Sequence, residues 1–289
     1  MIILLFSQTS KEGRKEMPNE NEAKPVGKMN FLALSNDSTL KTFIMATLVC
    51  LVCAVFVSIS AVALKPLQEL NKELDKKKNI LQVAGLYEQG DDIEAAFSKI
   101  DIKLVDLSTG EYVTDMDPAT YDVRRAAKDP NLNVTIPKSD DLANIRMRPK
   151  YMPVYQVKEG DAVKQLILPI NGYGLWSTLY GFLAVENDGQ TIVGLSYYEH
   201  AETPGLGGEV DNPKWKKIWD GKKIYGPEGD VAIKVIKGTV VPSAPKAEYQ
   251  VDGLAGATLT SRGVSNMLKY WMGAEGYQQY LNKVQENGA

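Results

Sequence analysis

The sequence has very few residues of the kinds that bind transition metals or form disulfides. Its 289 residues include two cysteines, Cys50 and Cys53, and one histidine, His200. Both cysteines lie in an apolar run without charged neighbours, which is typical of packed or lipid-facing thiols. One imidazole and two such thiols cannot build a Cys/His zinc site or a cysteine-ligated iron–sulfur cluster. We therefore predict no metal site, and a redox role would require an organic cofactor.

The sequence also lacks a strong charge of either sign and a dinucleotide-binding fingerprint. The formal net charge is −3, which gives no reason to expect a nucleic-acid partner. No GxGxxG follows a first strand, so the pattern does not favour a Rossmann domain. With 44% hydrophobic residues, the chain is long enough for one sizeable folded domain plus attachments.

The N-terminal part predicts a tail followed by one membrane anchor. Residues 1–28 open with the patch MIILLF, which lacks the length, basic n-region and cleavage motif of a secretory signal. We assign no fold to residues 1–41 and expect Met29 to be the biological start. Residues 42–64 carry no charge over about 23 positions and are apolar on every face, which favours a transmembrane helix over a buried soluble one.

The charges around this span leave its orientation open. Lysines follow the span at least as densely as they precede it, so the positive-inside count favours a cytoplasmic domain, although the rule weakens for long domains. The run Lys76–Lys78 is predicted to form a solvated helix face, with contact to anionic lipid as the alternative.

Residues 65–150 are predicted to be a stalk helix and the first part of the extramembrane domain. Leucines recur on one face over residues 66 to about 84, which indicates an amphipathic helix. A short helix over Asp91–Ser98 and a strand over Ile102–Leu107, ending in a turn at residues 108–110, follow. Residues 115–150 contain four prolines and predict loops and short elements.

Residues 151–289 are predicted to be the main folded domain. Short apolar runs separated by turns predict strands at Val154–Val157, Lys164–Ile170, Leu179–Glu186, Thr191–Tyr198 and Val231–Ile236. The connection Asn187–Gln190 has the composition of a hairpin turn. Neighbouring strands with short turns predict an α+β fold, a mainly antiparallel sheet with helices packed on one side. The aromatic residues near the C-terminus have helical spacing and are predicted to be core: Trp271, Tyr277 and Tyr280, with Leu281.

The segment DGLAGATLTS, Asp252–Ser261, combines small residues, hydroxyls and one acid before a predicted helix. Gly256 can adopt backbone angles closed to other residues, and Ala257 lets another molecule approach the main chain. We expect Thr260 or Ser261 to cap the helix. A helix N-terminus after small residues favours an anion such as phosphate, although many helices begin in this way without binding a ligand.

The order of residues in this segment resembles the signal at which flavin transferases attach FMN, through its phosphate, to a threonine. Asp252, Gly256, Ala257 and Thr258 match that signal, with Thr258 at the modified position. Ala255 stands where the family often has Ser. The continuation through Thr260 resembles the C subunit of the Na+-translocating NADH:quinone reductase.

Two further blocks extend the resemblance. The GLWS element is similar to a second family block, and its Trp would form an aromatic wall for the flavin; an anchor in the protein core is the alternative. The block HAETPGLG, starting at His200, closely resembles a third, and we expect hydrogen bonds that organise the loop rather than an acid–base pair. The implied flavin-binding residues in these blocks are Leu175, Trp176, Ser177, Thr178, Glu202, Thr203, Leu206 and Gly207. The neighbouring Asp211-Asn212-Pro213 and Trp215 are expected to have packing roles.

The resemblance implies an electron carrier with covalent FMN and no catalytic side chain of its own. It implies an assembly of six subunits in the bacterial inner membrane that oxidises NADH, reduces ubiquinone and exports Na+. The implied partners are the other subunits, a flavin transferase and membrane lipid, and the flavin domain would be periplasmic, against the lysine count. The G subunit of an Rnf-type ferredoxin:NAD+ reductase is the alternative, and a flavin-free, membrane-tethered binding domain is a second.

Overall fold

The computed structural model describes residues 38–88, 90–160 and 162–287. The MIILLF patch and Met29 lie outside the described residues. The chain divides into two compact units, Met1–Lys65 and Pro66–Ala289.

The first helix, α1 (Thr39–Val83), runs through 45 residues and includes both the predicted membrane segment and the predicted amphipathic segment. Its most apolar stretch has a mean hydropathy of 2.7 and is not buried by other parts of the protein. This is the one helix in the described part of the chain that is long and apolar enough to cross a membrane. Cys50 and Cys53 are exposed free thiols on it.

The second unit contains a six-stranded antiparallel sheet. Its strands in chain order are β1 (Ile100–Asp106), β2 (Glu111–Val113), β5 (Tyr151–Glu159), β6 (Ala162–Tyr173), β7 (Thr178–Glu186) and β8 (Ile192–Glu199). The spatial order is β2-β1-β5-β6-β7-β8. The α+β fold class is confirmed, and β1 pairs along its length with β5, across the predicted boundary at residue 150.

The remaining elements are short except at the C-terminus. They are α2 (Ile93–Phe97), α3 (Val123–Ala126), β3 (Asn133–Thr135), β4 (Met147–Pro149), α4 (Pro213–Lys217), β9 (Lys234–Val235), β10 (Gln250–Val251), α5 (Thr258–Trp271) and α6 (Gln278–Asn287). The prediction of a strand over Val231–Ile236 is wrong in length, because β9 has two residues. Lys234 and Val235 pair in parallel with β10, which is itself two residues long, and Val231 forms an isolated antiparallel bridge with Tyr225.

The sheet is buried on both faces, so the prediction of helices on one side is wrong. Along β7, Leu183 belongs to a core cluster shared with α5 and α6. Its neighbour Phe182 belongs to a second cluster shared with Ile80 and Leu81 of α1. Successive side chains of a strand point to opposite faces, so each strand supplies both cores. The predicted core role of the C-terminal aromatic residues is confirmed, since Trp271 and Tyr277 are fully buried.

Lysines 76–78 do not form a solvated face. All three are half-buried. Lys77 Nζ lies 2.7 Å from a carboxylate oxygen of Glu94. Lys78 Nζ lies 5.5 Å from the centre of the Tyr87 ring. These contacts hold the last turns of α1 against the segment that follows it.

The predicted turns are confirmed. In the β7–β8 hairpin, Asp188 Oδ1 accepts hydrogen bonds from the backbone N–H groups of Gln190 at 2.8 Å and Thr191 at 2.7 Å. Gly189 there has φ +62°, which glycine adopts without strain. In the predicted turn after β1, the N–H of Gly110 donates to the carbonyl of Asp106 at 2.7 Å.

Candidate functional site

Thr258 is the first residue of α5, and it is exposed. The residue before it, Ala257, is the helix cap and contributes no side-chain hydrogen bond. The first N–H groups of any helix lack partners within the helix, and they attract an anion. Gly256 precedes the cap with φ +70°, a conformation that L side chains rarely adopt. The chain therefore presents a threonine hydroxyl beside a helix end that favours negative charge.

The prediction that Thr260 or Ser261 caps α5 is wrong, because both side chains bond elsewhere. Thr260 is fully buried and its hydroxyl donates to Glu202 Oε2 at 2.7 Å. Ser261 is 6% exposed, and its hydroxyl accepts the N–H of Leu254 at 3.1 Å. Of the hydroxyl groups in the first turn of α5, Thr258 carries the exposed one.

A cavity of about 580 Å3 opens beside Thr258. Its walls come from the segment around β9, the loop before α5 and the first turns of α5. Its basic lining residues are Lys234, Lys237 and Arg262. A positively charged lining next to a helix N-terminus fits a phosphate group.

Asp252 and Gly253 hold the wall of this cavity together. Asp252 Oδ1 accepts the N–H of Val240 at 2.8 Å. The N–H of Gly253 donates to the carbonyl of Gly238 at 2.8 Å. A Cβ on Gly253 would lie 2.3 Å from the carbonyl oxygen of Ile236, so a side chain has no room there. The acid of the motif thus has a structural partner within the chain.

Glu202 joins the three sequence blocks at one point. Its Oε1 accepts the N–H groups of Leu175, Trp176 and Ser177 at 3.0, 2.9 and 3.3 Å. Its Oε2 accepts the hydroxyl of Thr260 on α5. Burial opposes ionisation of this carboxyl group, but these hydrogen bonds outweigh it and lower the pKa of Glu202. The predicted role of this block in organising the loop is confirmed by these contacts.

Close packing around Glu202 explains two glycines of the motifs. A Cβ on Gly207 would lie 2.6 Å from Thr260 Oγ1 and 2.7 Å from Glu202 Oε2. A Cβ on Gly174 would lie 2.6 Å from Glu202 Oε1. Neither position has space for a side chain while the hydrogen bonds remain.

Large apolar side chains near this cluster are exposed. Trp176 is 67% exposed, so the alternative in which it anchors the core is wrong. Leu206 and Leu259 are 44% and 49% exposed. A Cβ on Gly256 would lie 2.8 Å from Leu206 Cδ2, so Leu206 lies over the turn before Thr258. Exposed apolar groups close to an anion site suit a ligand with a flat apolar ring and a phosphate.

His200 orders the start of its loop and does not pair with Glu202 as an acid. His200 Nε2 lies 2.8 Å from Asp211 Oδ2, and His200 Nδ1 accepts the N–H of Glu202 at 3.2 Å. The hydrogen bond to Asp211 raises the pKa of His200. Nearby, the side chain of Asn212 caps α4, and Trp215 is buried against Trp219, which confirms their packing roles.

The structure brings most of the predicted site residues together. The loop residues Thr203 and Leu206 lie beside Gly207, and the turn residues 175–177 meet them through Glu202. Thr178 follows this turn directly as the first residue of β7 and pairs with Tyr173. Sequence reasoning missed the basic residues of the cavity. Arg262 was detectable, because it lies four residues after Thr258 on the same helix face.

The fold and the site are those of an FMN-binding domain that follows a helix long and apolar enough to cross a membrane. Residues 174–273 match the FMN-binding domain family. The cavity, the exposed threonine and the glycine positions fit a phosphate-bearing flavin.

Similar proteins identify the family. The chain is 50% identical over 259 residues to the C subunit of the Na(+)-translocating NADH-quinone reductase of Pseudomonas aeruginosa, covering 88% of this chain and 99% of that protein. It is 48% identical to the protein of that name from Haemophilus ducreyi, covering 86% of this chain and 95% of that protein. The crystal structure of Shewanella oneidensis NqrC matches with a TM-score of 0.69 and 34% identity, covering 75% of this chain and 99% of that chain. The chain belongs to the family of C subunits of the Na+-translocating NADH-quinone reductases, and the predicted resemblance is confirmed.

Proposed function

We propose that Thr258 carries FMN through a phosphoester bond and that the chain passes electrons one at a time within its complex. The observation that carries the proposal is the exposed Thr258 hydroxyl above the basic cavity, next to the buried and hydrogen-bonded Thr260 and Ser261. Bound FMN supplies the electron-accepting ring. A covalent bond retains a carrier in every redox state.

Attachment requires a flavin transferase, with FAD as the donor. The oxygen of Thr258 bonds to the phosphorus on the FMN side of FAD, the pyrophosphate bond breaks, and AMP leaves while the hydroxyl proton is released. Asp252 is proposed to assist the transferase, through Mg2+ or through the threonine hydroxyl. Gly256 and Ala257 leave the main chain open to the phosphate, and Lys234, Lys237 and Arg262 balance its charge.

The ring is proposed to lie against the exposed apolar side chains near Thr258. Trp176 and Leu206 provide the largest exposed apolar surfaces there. The other proposed ring and edge contacts are Leu175, Ser177, Thr178, Thr203 and Gly207. Glu202 is proposed to support the ring contacts indirectly. Its oxygens accept three N–H groups of the turn 175–177 and the hydroxyl of Thr260, and these bonds fix the turn.

The complex is proposed to reside in the bacterial inner membrane, where electron flow from NADH to ubiquinone drives Na+ export. The anchor is proposed to be residues 42–64, in contact with lipid. The anchor is followed by a stalk and first part, residues 65–150, and by the FMN-binding part, residues 151–289. Both parts are proposed to lie on the periplasmic side, where an exported transferase supplies FMN. Fusions of alkaline phosphatase and of a fluorescent protein to the C-terminus test the side. An active phosphatase is expected, whereas a fluorescent fusion with inactive phosphatase would reverse the orientation.

Flavin fluorescence on a denaturing gel tests the attachment. The full chain is co-expressed with a flavin transferase, and its band is expected to fluoresce. Thr258→Ala should abolish the fluorescence because it removes the only oxygen that forms the bond. Thr239→Ala is the matched control, since Thr239 lines the same cavity and is exposed. Fluorescence retained in Thr258→Ala would contradict attachment at Thr258. Fluorescence absent from the wild type would contradict covalent attachment itself and favour a flavin-free tethered domain.

A further inference from the structure

Glu202 is a buried carboxylate without a cationic partner. Only 4% of the residue is exposed to solvent. Among residues 38–88, 90–160 and 162–287, no lysine or arginine forms an ion pair with it. The charge is held by hydrogen-bond donors alone, from the turn 175–177 and from Thr260. These donors stabilise the negative charge without cancelling it.

Both oxygens of the carboxylate are already bonded within the chain. An ionised carboxylate offers about four acceptor positions. Glu202 accepts four hydrogen bonds, of which three converge on Oε1 and one ends on Oε2. Its influence on a bound group is therefore exerted through the field of its charge and through the turn that it fixes.

Hydrogen bonds connect Glu202 to the first turn of α5, which contains the proposed attachment point, and to the turn that contains Trp176. Its partner Thr260 lies two residues after Thr258, within the same helical turn. Its other partners are the N–H groups of the turn 175–177, which includes the exposed Trp176. Glu202 is 4% exposed, so its charge is screened less by solvent than the charge of a surface carboxylate.

We propose that Glu202 is a positioning residue whose fixed negative charge lowers the reduction potential of the flavin carried at Thr258. The inference rests on the proposed attachment. Addition of one electron to the ring adds one unit of negative charge unless a proton follows, and a buried anion nearby makes that addition less favourable. The electrons come from carriers upstream, which NADH reduces, and the charge on Glu202 biases the ring toward passing them on.

Redox titration of the flavinylated full chain in detergent tests the inference. Glu202→Gln removes the charge but keeps an amide oxygen that can accept the three N–H groups, and the Thr260 hydroxyl can rotate to accept from the amide. Dithionite with mediator dyes supplies the electrons, and wild type and variants are titrated at the same pH, because His200 is a titratable neighbour of Glu202 whose pKa is raised by its hydrogen bond to Asp211. The midpoint potential is expected to shift to more positive values in Glu202→Gln.

A control and a second variant keep the test decisive. Glu186→Gln removes the same charge from an exposed position at the other end of β7, and no shift is expected. Thr260→Val keeps the charge of Glu202 and removes one donor that disperses it, so its midpoint should move to more negative values. If Glu202→Gln does not fold, the midpoint potential of Thr260→Val alone tests the inference. Unchanged midpoints in the variants that fold and carry FMN would overturn the inference.

The mass of each protein separates this inference from the proposed attachment. Wild-type protein without an added FMN would contradict the attachment itself. Full addition of FMN to wild type and variants, with identical potentials, would leave the attachment standing and remove Glu202 as a tuning residue.

Discussion

Gly263→Ala tests how α5 fits against the turn that carries Trp176. A Cβ on Gly263 would lie 2.5 Å from the carbonyl oxygen of Tyr173 and 3.0 Å from the Cα of Gly174. Both are backbone atoms, so neither can rotate away. Helix propensity alone favours Ala over Gly by about 0.8–1.0 kcal/mol inside a helix. Overpacking costs about 1–3 kcal/mol, so we expect a net loss of up to ~2 kcal/mol in the free energy of unfolding.

Urea unfolding of the full chain in detergent, followed by tryptophan fluorescence, measures this change. Lys269→Ala is the matched control, because Lys269 is exposed on the same helix. Its effect should stay within about 0.5 kcal/mol. A Gly263→Ala protein that is more stable than wild type by about 1 kcal/mol would refute the reasoning, since helix propensity would then decide and the close approach would not exist.

Two further predictions concern Glu202 and Trp176. The hydrogen bonds that lower the pKa of Glu202 contribute stability above its unfolded pKa, about 4.3, and this contribution is lost as the pH falls through the lower folded value. Acid unfolding curves should therefore show a smaller loss of stability below about pH 4 in Glu202→Gln than in wild type. Equal losses in the two proteins would contradict an ionised Glu202 in the folded state. Trp176→Ala should leave the mass of attached FMN unchanged and alter the flavin absorbance and midpoint potential, because Trp176 is exposed and supports no core. An unchanged spectrum and potential would remove Trp176 from the ring contacts.

The sheet was predictable from the sequence, but its two-sided burial was not predicted. The strands β6 and β7 and the hairpin after β7 follow from apolar runs bounded by turn residues. The run Leu166–Ile170 is continuously apolar apart from its proline, which is typical of a strand covered on both faces. That signal was available, whereas the partner of the second face, the end of α1, depends on tertiary packing.

The site was predictable where its residues are close in sequence and not where they meet across the fold. Thr258 and Gly256 were found because they form one continuous motif. The start of α5 was misplaced because Thr260 and Ser261 bond to Glu202 and Leu254, and the first of these partners is distant in the chain. The basic cavity wall was missed for the same reason, since the pairing of β9 with β10 brings its lysines to the site.

Mapping the modified peptide of the co-expressed full chain tests the central claim most directly. Trypsin cleavage after Lys246 and Arg262 releases residues 247–262, which contain Thr258, Thr260 and Ser261. Tandem mass spectrometry is predicted to find this peptide heavier by FMN minus water, with fragment ions that place the addition on Thr258. An unmodified peptide, or an addition on Thr260 or Ser261, would contradict the account.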